Sequence, residues 1–145
     1  MKLEVIKKSF LSNFHFLRDI GYSKVTIYEG FDYKYKLGMS FENEAINYKL
    51  NFAYYDKNPI DNKDDTYAFF LTLFNVNSHV DFSRLLNKNK KLSDYCKLQY
   101  FIIKQEVNPN YFLELLSDVL KNEYLSVLNG KEWIEIKYDL RDDYI

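Results

Sequence analysis

Between residues 32 and 54 the chain alternates apolar and polar side chains so regularly that few folds can accept it. Tyr33, Tyr35, Leu37, Met39 and Phe41 hold the odd positions, and Asp32, Lys34, Lys36, Gly38 and Ser40 the even ones. After Glu42-Asn43-Glu44-Ala45 the apolar set resumes at Ile46, Tyr48, Leu50, Phe52 and Tyr54, separated by Asn47, Lys49, Asn51 and Ala53. A period of two marks a strand with one buried face, because successive side chains point to opposite sides of a sheet. Two such runs joined by a short polar link form an antiparallel hairpin. Pairing Phe41 with Ile46 sets Met39 against Tyr48, Leu37 against Leu50 and Tyr35 against Phe52, with both apolar rows on one face. A slip of one residue would turn a whole row toward water, so the pattern is expected to hold this register.

The flanking segments extend the hairpin into a larger unit. Leu3, Ile6, Phe10, Phe14, Leu17 and Ile20 recur at helical spacing, which predicts a helix over residues 3–20 with Gly21 as its stop. Val25 and Ile27 alternate with Lys24, Thr26 and Tyr28 in a short strand. Residues 66–76 read as a strand that is apolar on both rows, with Tyr67, Phe69, Leu71 and Leu73 on one side and Ala68, Phe70 and Phe74 on the other. Such a strand is central or covered on both faces. Residues 81–87 suggest a short helix. Residues 92–107 suit either a helix begun by Ser93 or a strand at Tyr100-Phe101-Ile102-Ile103. Asn108-Pro109 is a capping side chain followed by a Pro suited to a first helical turn, and a strong amphipathic helix then runs toward Gly130. The tail, residues 131–145, fits strand and helix equally. The expected class is α+β: an N-terminal helix, an antiparallel β-meander of about four strands, then C-terminal helices. Parallel pairing would need longer crossovers than these connections supply.

The chain's 145 residues suit one domain spanning 1–145, long enough to bury a core without a disulfide or metal staple. Its one cysteine, Cys96, cannot form an internal disulfide. Met1-Lys2-Leu3-Glu4 lacks the apolar core of a secretory signal, and no stretch of about 18 apolar residues occurs, so a cytoplasmic chain without a membrane span is expected. Lys outnumbers Arg by 17 to 3 and the formal charge is −1, the reverse of what phosphate and base readers collect. No nucleic-acid partner is therefore expected.

Groups able to do chemistry are scarce. His15 and His79 have no second His at ligand spacing, and Cys96 reads as a small buried apolar residue. With Gly only at 21, 30, 38 and 130, no phosphate-cradling loop can be assembled. The polar connection after Tyr55 carries Asp56, Asp61, Asp64 and Asp65 but lacks the alternating ligands and central Gly of a calcium loop. No enzyme activity, metal or cofactor is expected. The same acids make a negative patch suited to steering a basic partner, and residues 42–82 carry a net −4 against +3 for residues 1–41. Arg84, Lys88, Lys90 and Lys91 form a basic cluster without interleaved aromatics. Fourteen Tyr and twelve Phe exceed what a core of this size must hold. If Tyr55, Phe70 and Phe74 lie on a sheet face that no helix covers, they form a patch of the kind that marks protein interfaces; coverage by the C-terminal helices is the alternative.

Phe14-His15-Phe16-Leu17 leading to Gly21-Tyr22, the aromatic strands at Tyr33-Lys34-Tyr35 and Leu50-Asn51-Phe52, Asn108-Pro109 opening a long helix, and Leu128-Asn129-Gly130-Lys131 followed by Trp133 carry a resemblance. In this order they resemble the small cytoplasmic immunity proteins that accompany bacterial polymorphic toxins. The resemblance implies a protein that binds one cognate toxin and occludes or distorts its active site. The implied contact groups are the acids Asp56, Asp61, Asp64 and Asp65, beside aromatic anchors Tyr54 and Tyr55. A dimeric secretion chaperone or adaptor, which binds an extended client segment through a groove or sheet edge, is the alternative. Oligomeric state stays open, with a monomer favoured for the inhibitor.

Overall fold

The computed structural model describes residues 3–29, 36–56, 66–86, 88–96 and 101–134. The apolar spacing from Leu3 folds as α1 (Leu3–Asn13), which buries Ile6 and Phe10. The helix does not continue to Ile20. The Asn13 side-chain amide donates to the Ser9 carbonyl at 2.8 Å, a local bond that competes with regular helix, and the chain restarts as α2 (Phe16–Asp19). The break directs both Phe14 and Leu17 into the core.

Five strands follow in chain order: β1 (Lys24–Glu29), β2 (Leu37–Asn43), β3 (Tyr48–Tyr55), β4 (Thr66–Phe74) and β5 (His79–Asp81). Each pairs antiparallel with the next, forming the meander that the alternation predicts. Then come α3 (Phe82–Leu86), α4 (Lys90–Ser93), β6 (Ile102–Lys104), α5 (Pro109–Glu123) and α6 (Leu125–Leu128). The fold is α+β, with an N-terminal helix, an antiparallel sheet and C-terminal helices.

The hairpin register differs from the expected one. Phe41 faces Leu50, Met39 faces Phe52, Leu37 faces Tyr54 and Asn43 faces Tyr48. One strand is displaced by four residues relative to its partner, and the apolar rows still share a face. Alternation excludes odd slips but is silent on even ones, so it sets parity and leaves the register to the turn. Here β2 continues through Glu42 and Asn43, and Asn47 takes a left-handed φ of 55° that reverses the chain. Asn43 is itself buried, its amide donating to the Ile20 carbonyl at 3.2 Å. Tyr33 and Tyr35, expected in this hairpin, lie outside the described residues.

β4 lies inside the sheet, with strands on both sides as its two apolar rows predict, and its outer edge is shared. β6 pairs with Thr66–Ala68 and β5 with Thr72–Phe74. Between them the Leu71 N–H donates to the Ser83 hydroxyl at 3.0 Å and the Phe69 N–H to the Phe101 carbonyl at 3.4 Å, so the gap leaves neither donor unpaired. β5 was hidden in the sequence because three residues carry no legible period. In the ambiguous 92–107 segment no helix begins at Ser93: α4, capped by Asn89, ends there, and β6 forms the strand toward the far end. The long C-terminal helix starts at Asn108-Pro109 as expected but breaks at Tyr124, α6 carrying it on to Gly130 at φ 76°.

The ring pairs that join helix to sheet fall on one face. Phe10 of α1 lies 3.8 Å from Phe52 and 5.7 Å from Phe41, and Phe112 of α5 lies 5.3 Å from Phe69, all between ring centroids. Ser9 of α1 donates to Asn110 of α5 at 2.6 Å, tying the two helices together above this face. Full burial of such rings is worth about 1.5–3 kcal/mol each, which makes this layer the principal source of stability. Tyr22 donates its hydroxyl to the Leu128 carbonyl at 2.8 Å and anchors α6 to the loop before β1.

Candidate functional site

Strand alternation sends the other half of the side chains to the opposite face of the sheet, and the pairing aligns them in rows. One row across the five strands reads Lys24, Glu42, Lys49, Phe74, His79; the next reads Thr26, Ser40, Asn51, Thr72, Asp81; the third reads Tyr28, Gly38, Ala53, Phe70. The expectation that Gly38 and Ser40 sit on a solvated face is not met, since both are buried, Ser40 at 2% exposure. They are short residues at the bottom of a trough of about 130 Å³ lined by Tyr28, Gly38, Ser40, Lys49, Asn51 and Ala53.

The trough runs along β2 and β3. Its floor changes character from end to end: Gly38 and Ala53 are apolar and small, Ser40 and Asn51 polar, and Glu42 and Lys49 charged. Tyr28, at 47% exposure, stands beside Gly38 on β1, and Phe70 rises beyond Ala53 on β4. The Ser40 hydroxyl donates to Asn51 Oδ1 at 2.9 Å. Glu42 and Glu44 are drawn to Lys24, at 3.6 and 3.9 Å. Lys49, directly across from Glu42, makes no ion pair among the described residues. The trough therefore runs from a charged end, where Lys49 faces Glu42, to the Tyr28 ring at the other.

The residues expected to contact a partner separate sharply. Tyr54 is a correction: at 1% exposure it points into the helix-side core, 5.4 Å from Phe69, and burial pushes its hydroxyl pKa up to about 12. It shares parity with Leu50 and Phe52, so an inward position follows from the same alternation. Tyr55, one residue on, lies on the trough side, edge-on to Phe70 at 5.1 Å. Asp56 is exposed and pairs with Lys36 at 3.8 Å. Asp61, Asp64 and Asp65 lie outside the described residues. Tyr55, Phe70 and Phe74 do share the face opposite α1 and α5; Tyr55 and Phe70 are half-buried, and Phe74, at 37% exposure, rests against His79 at 5.7 Å. Sequence reading missed Tyr28, Ser40, Asn51 and Lys49 as a group, because each belongs to the polar row that a half-buried strand turns to water. Only the observed register brings them together.

Other ionisable groups are held in structural roles. Asp81 accepts the Ser83 N–H at 3.0 Å and lies 3.8 Å from Arg84 Nε; burial lifts its carboxyl above the usual carboxylate range against those partners. Burial likewise raises the Cys96 thiol, which suppresses the reactive thiolate. Among the described residues no group of three or more His, Cys, Asp or Glu is placed to hold a metal. Also among them, no helix is long and apolar enough to cross a membrane. A second cavity of about 420 Å³ between α4 and α5 mixes Lys90 and Lys91 with Asp118 and Glu123, and Glu123 is already engaged by Asn89 at 3.0 Å.

Compared with known proteins, the chain matches no family model, no curated protein and no solved structure.

Proposed function

We propose that this chain is a protein-binding inhibitor that acts by surface fit, an immunity protein that neutralises a cognate bacterial toxin by covering its active site. The observation that carries the reading is the sheet face opposite the helices, where a trough bordered by the exposed Tyr28 ring ends at Lys49, which makes no ion pair among the described residues. Aromatic side chains around a polar, partly desolvated floor are the composition from which interface hot spots are built. The test is expression of the adjacent gene's product alone and together with this chain. Growth arrest alone and rescue together are expected, with rescue lost in Tyr28→Arg while the variant keeps its far-ultraviolet spectrum. A neighbour equally harmless in both strains overturns the inhibitor reading.

The dimeric adaptor has one observation in its favour. Among the described residues β1 is an edge strand with β-branched residues at its centre, and Ile27 and Tyr28 are exposed on it, a surface an extended client segment could extend by strand addition. Light scattering separates the two: an obligate dimer at low concentration supports the adaptor, a monomer the inhibitor.

A further inference from the structure

We infer that Asn129-Gly130 is a modification site at which opening of α6 is recorded covalently, by conversion of Asn129 to aspartate and isoaspartate. This goes beyond the inhibitor reading and does not depend on it. An asparagine side chain is attacked at Cγ by the backbone nitrogen of the residue that follows, and the reaction is quickest before glycine, which has no side chain to block the approach. The nitrogen gives up its proton to solvent base, the new N–Cγ bond closes a five-membered succinimide, and the Cγ–Nδ2 bond breaks with loss of ammonia. Water then adds to one of the two ring carbonyls. Opening at one leaves aspartate; opening at the other leaves isoaspartate, in which the main chain runs through Cβ and Cγ. Water is the one co-reactant, and nothing is oxidised or reduced. Of the four glycines in the chain, only Gly130 follows an asparagine.

The fold holds this reaction off. Asn129 caps the end of α6 with φ −79° and ψ −4°. A ψ near zero turns the Gly130 nitrogen toward the nitrogen of Asn129 itself, about a third of a turn round the Cα–C bond from Cβ, so the ring cannot close without rotation there. That rotation swings the whole following segment. It pulls the Gly130 N–H from the Val127 carbonyl at 3.1 Å, and the Lys131 and Glu132 N–H groups from the Ser126 carbonyl at 2.9 and 3.3 Å. Packing resists it from both sides. One residue before the pair, the Leu128 carbonyl accepts the Tyr22 hydroxyl at 2.8 Å. At Gly130 the backbone lies so close to the turn between β2 and β3 that a Cβ there would stand 3.2 Å from Ile46 Cδ1, and Trp133 rests edge-on against Tyr48 at 5.6 Å. Reaction therefore proceeds from the population in which α6 has let go, and its rate reads that population. Isoaspartate adds a carbon to the main chain between Leu128 and Gly130, both held in place, so a chain that has opened and reacted does not regain both contacts.

The test uses the whole chain, incubated at mildly alkaline pH both folded and in urea, then digested with trypsin beside an unincubated sample. Cleavage after Lys121 and Lys131 releases residues 122–131, a peptide that carries Asn122 as an internal control because Glu123 follows it. Its aspartate and isoaspartate forms are separated by chromatography and identified by mass. In urea Asn129 should convert while Asn122 does not, and in the folded chain Asn129 should convert at least about tenfold more slowly. Tyr22→Phe keeps the ring and removes the bond to Leu128. It should retain the far-ultraviolet spectrum and speed conversion in the folded chain about two- to tenfold, the effect of one lost hydrogen bond. Tyr67→Phe, which removes the bond to the Val107 carbonyl instead, should leave the folded rate unchanged. No conversion of Asn129 in urea, or equal rates in urea and in the folded chain, overturns the proposal. So does an equal acceleration by the two tyrosine variants, which would assign the reaction to unfolding of the whole chain rather than to release of α6.

Discussion

Ser83 is fully buried at the point where β4 has no neighbouring strand, and its hydroxyl accepts the Leu71 N–H that neither β5 nor β6 can reach. Ser83→Ala removes the acceptor and leaves a buried donor without a partner, which costs about 1–3 kcal/mol. A fall of that size in the urea-unfolding free energy is expected, whereas Ser83→Thr, which keeps the oxygen, should lose less. Gly21 has a comparable local role with a different cause. Its φ is +104°, and a Cβ there would stand 2.7 Å from Asn43 Nδ2, the atom that donates to the Ile20 carbonyl. Gly21→Ala combines a disfavoured backbone with displacement of that amide, and a loss of at least roughly 1–2 kcal/mol is expected by chemical denaturation. Gly21 was legible as a helix stop; that Asn43 fills the space beside it was not, since the two meet only when β2 is longer than its alternation suggests. Tyr54 and Tyr55 carry the same lesson. A resemblance grouped them as neighbours, but parity assigns one to the core and the other to the opposite face.

At the scale of the element, what a period can specify is clear from β2 and β3. Two alternating runs declare two strands and tell which side chains share a face, and both statements hold. They do not choose among registers that differ by an even number, and that choice falls to Asn47, whose left-handed φ of 55° turns the chain. The position can therefore be tested directly. Asn47→Gly relaxes the backbone and should leave stability unchanged or raise it by up to about 1 kcal/mol, while Asn47→Val forces a β-branched residue into the same region and should cost about 1–2 kcal/mol. Guanidinium unfolding of the three proteins gives the order Gly at or above Asn, and Val lowest. Helix breaks were illegible for a related reason: apolar spacing runs straight through Phe14-His15 and through Tyr124, and what interrupts each helix is a local bond or a torsion rather than a change of pattern. Short β5 and β6 offer too few residues to show a period, and they form because β4 presents an unpaired edge.

For the whole molecule, the sequence supported a sheet with helices but not which face they cover, because β4 is apolar on both rows. The trough was likewise out of reach: its lining comes from three strands, and only pairing converts scattered polar positions into a graded floor. The helix-side layer has a further property that acts on the entire fold. Tyr22, Tyr54 and Tyr67 are all buried there, with the Tyr22 hydroxyl donating to Leu128 and the Tyr67 hydroxyl donating to Val107 at 2.7 Å. Burial is the main cause that raises all three, pushing Tyr54 and Tyr67 up to about 12 from an ordinary 10.0 and Tyr22 further in the same direction. Above pH 10 the unfolded chain therefore gives up these protons while the folded chain keeps them. The unfolded state then binds fewer protons, so stability must fall as pH rises, by up to about 1.4 kcal/mol per pH unit for each tyrosine until its folded value is passed. Below pH 10 both states hold the protons and these groups contribute no slope. The urea midpoint should accordingly show no loss from these tyrosines up to about pH 10 and then drop steeply toward pH 12. Tyr67→Phe should drop less steeply, and the tyrosinate absorbance of the buried set should rise together with loss of structure. Ionisation of that set at its ordinary pH in a chain that keeps its secondary structure would contradict the packing of this layer.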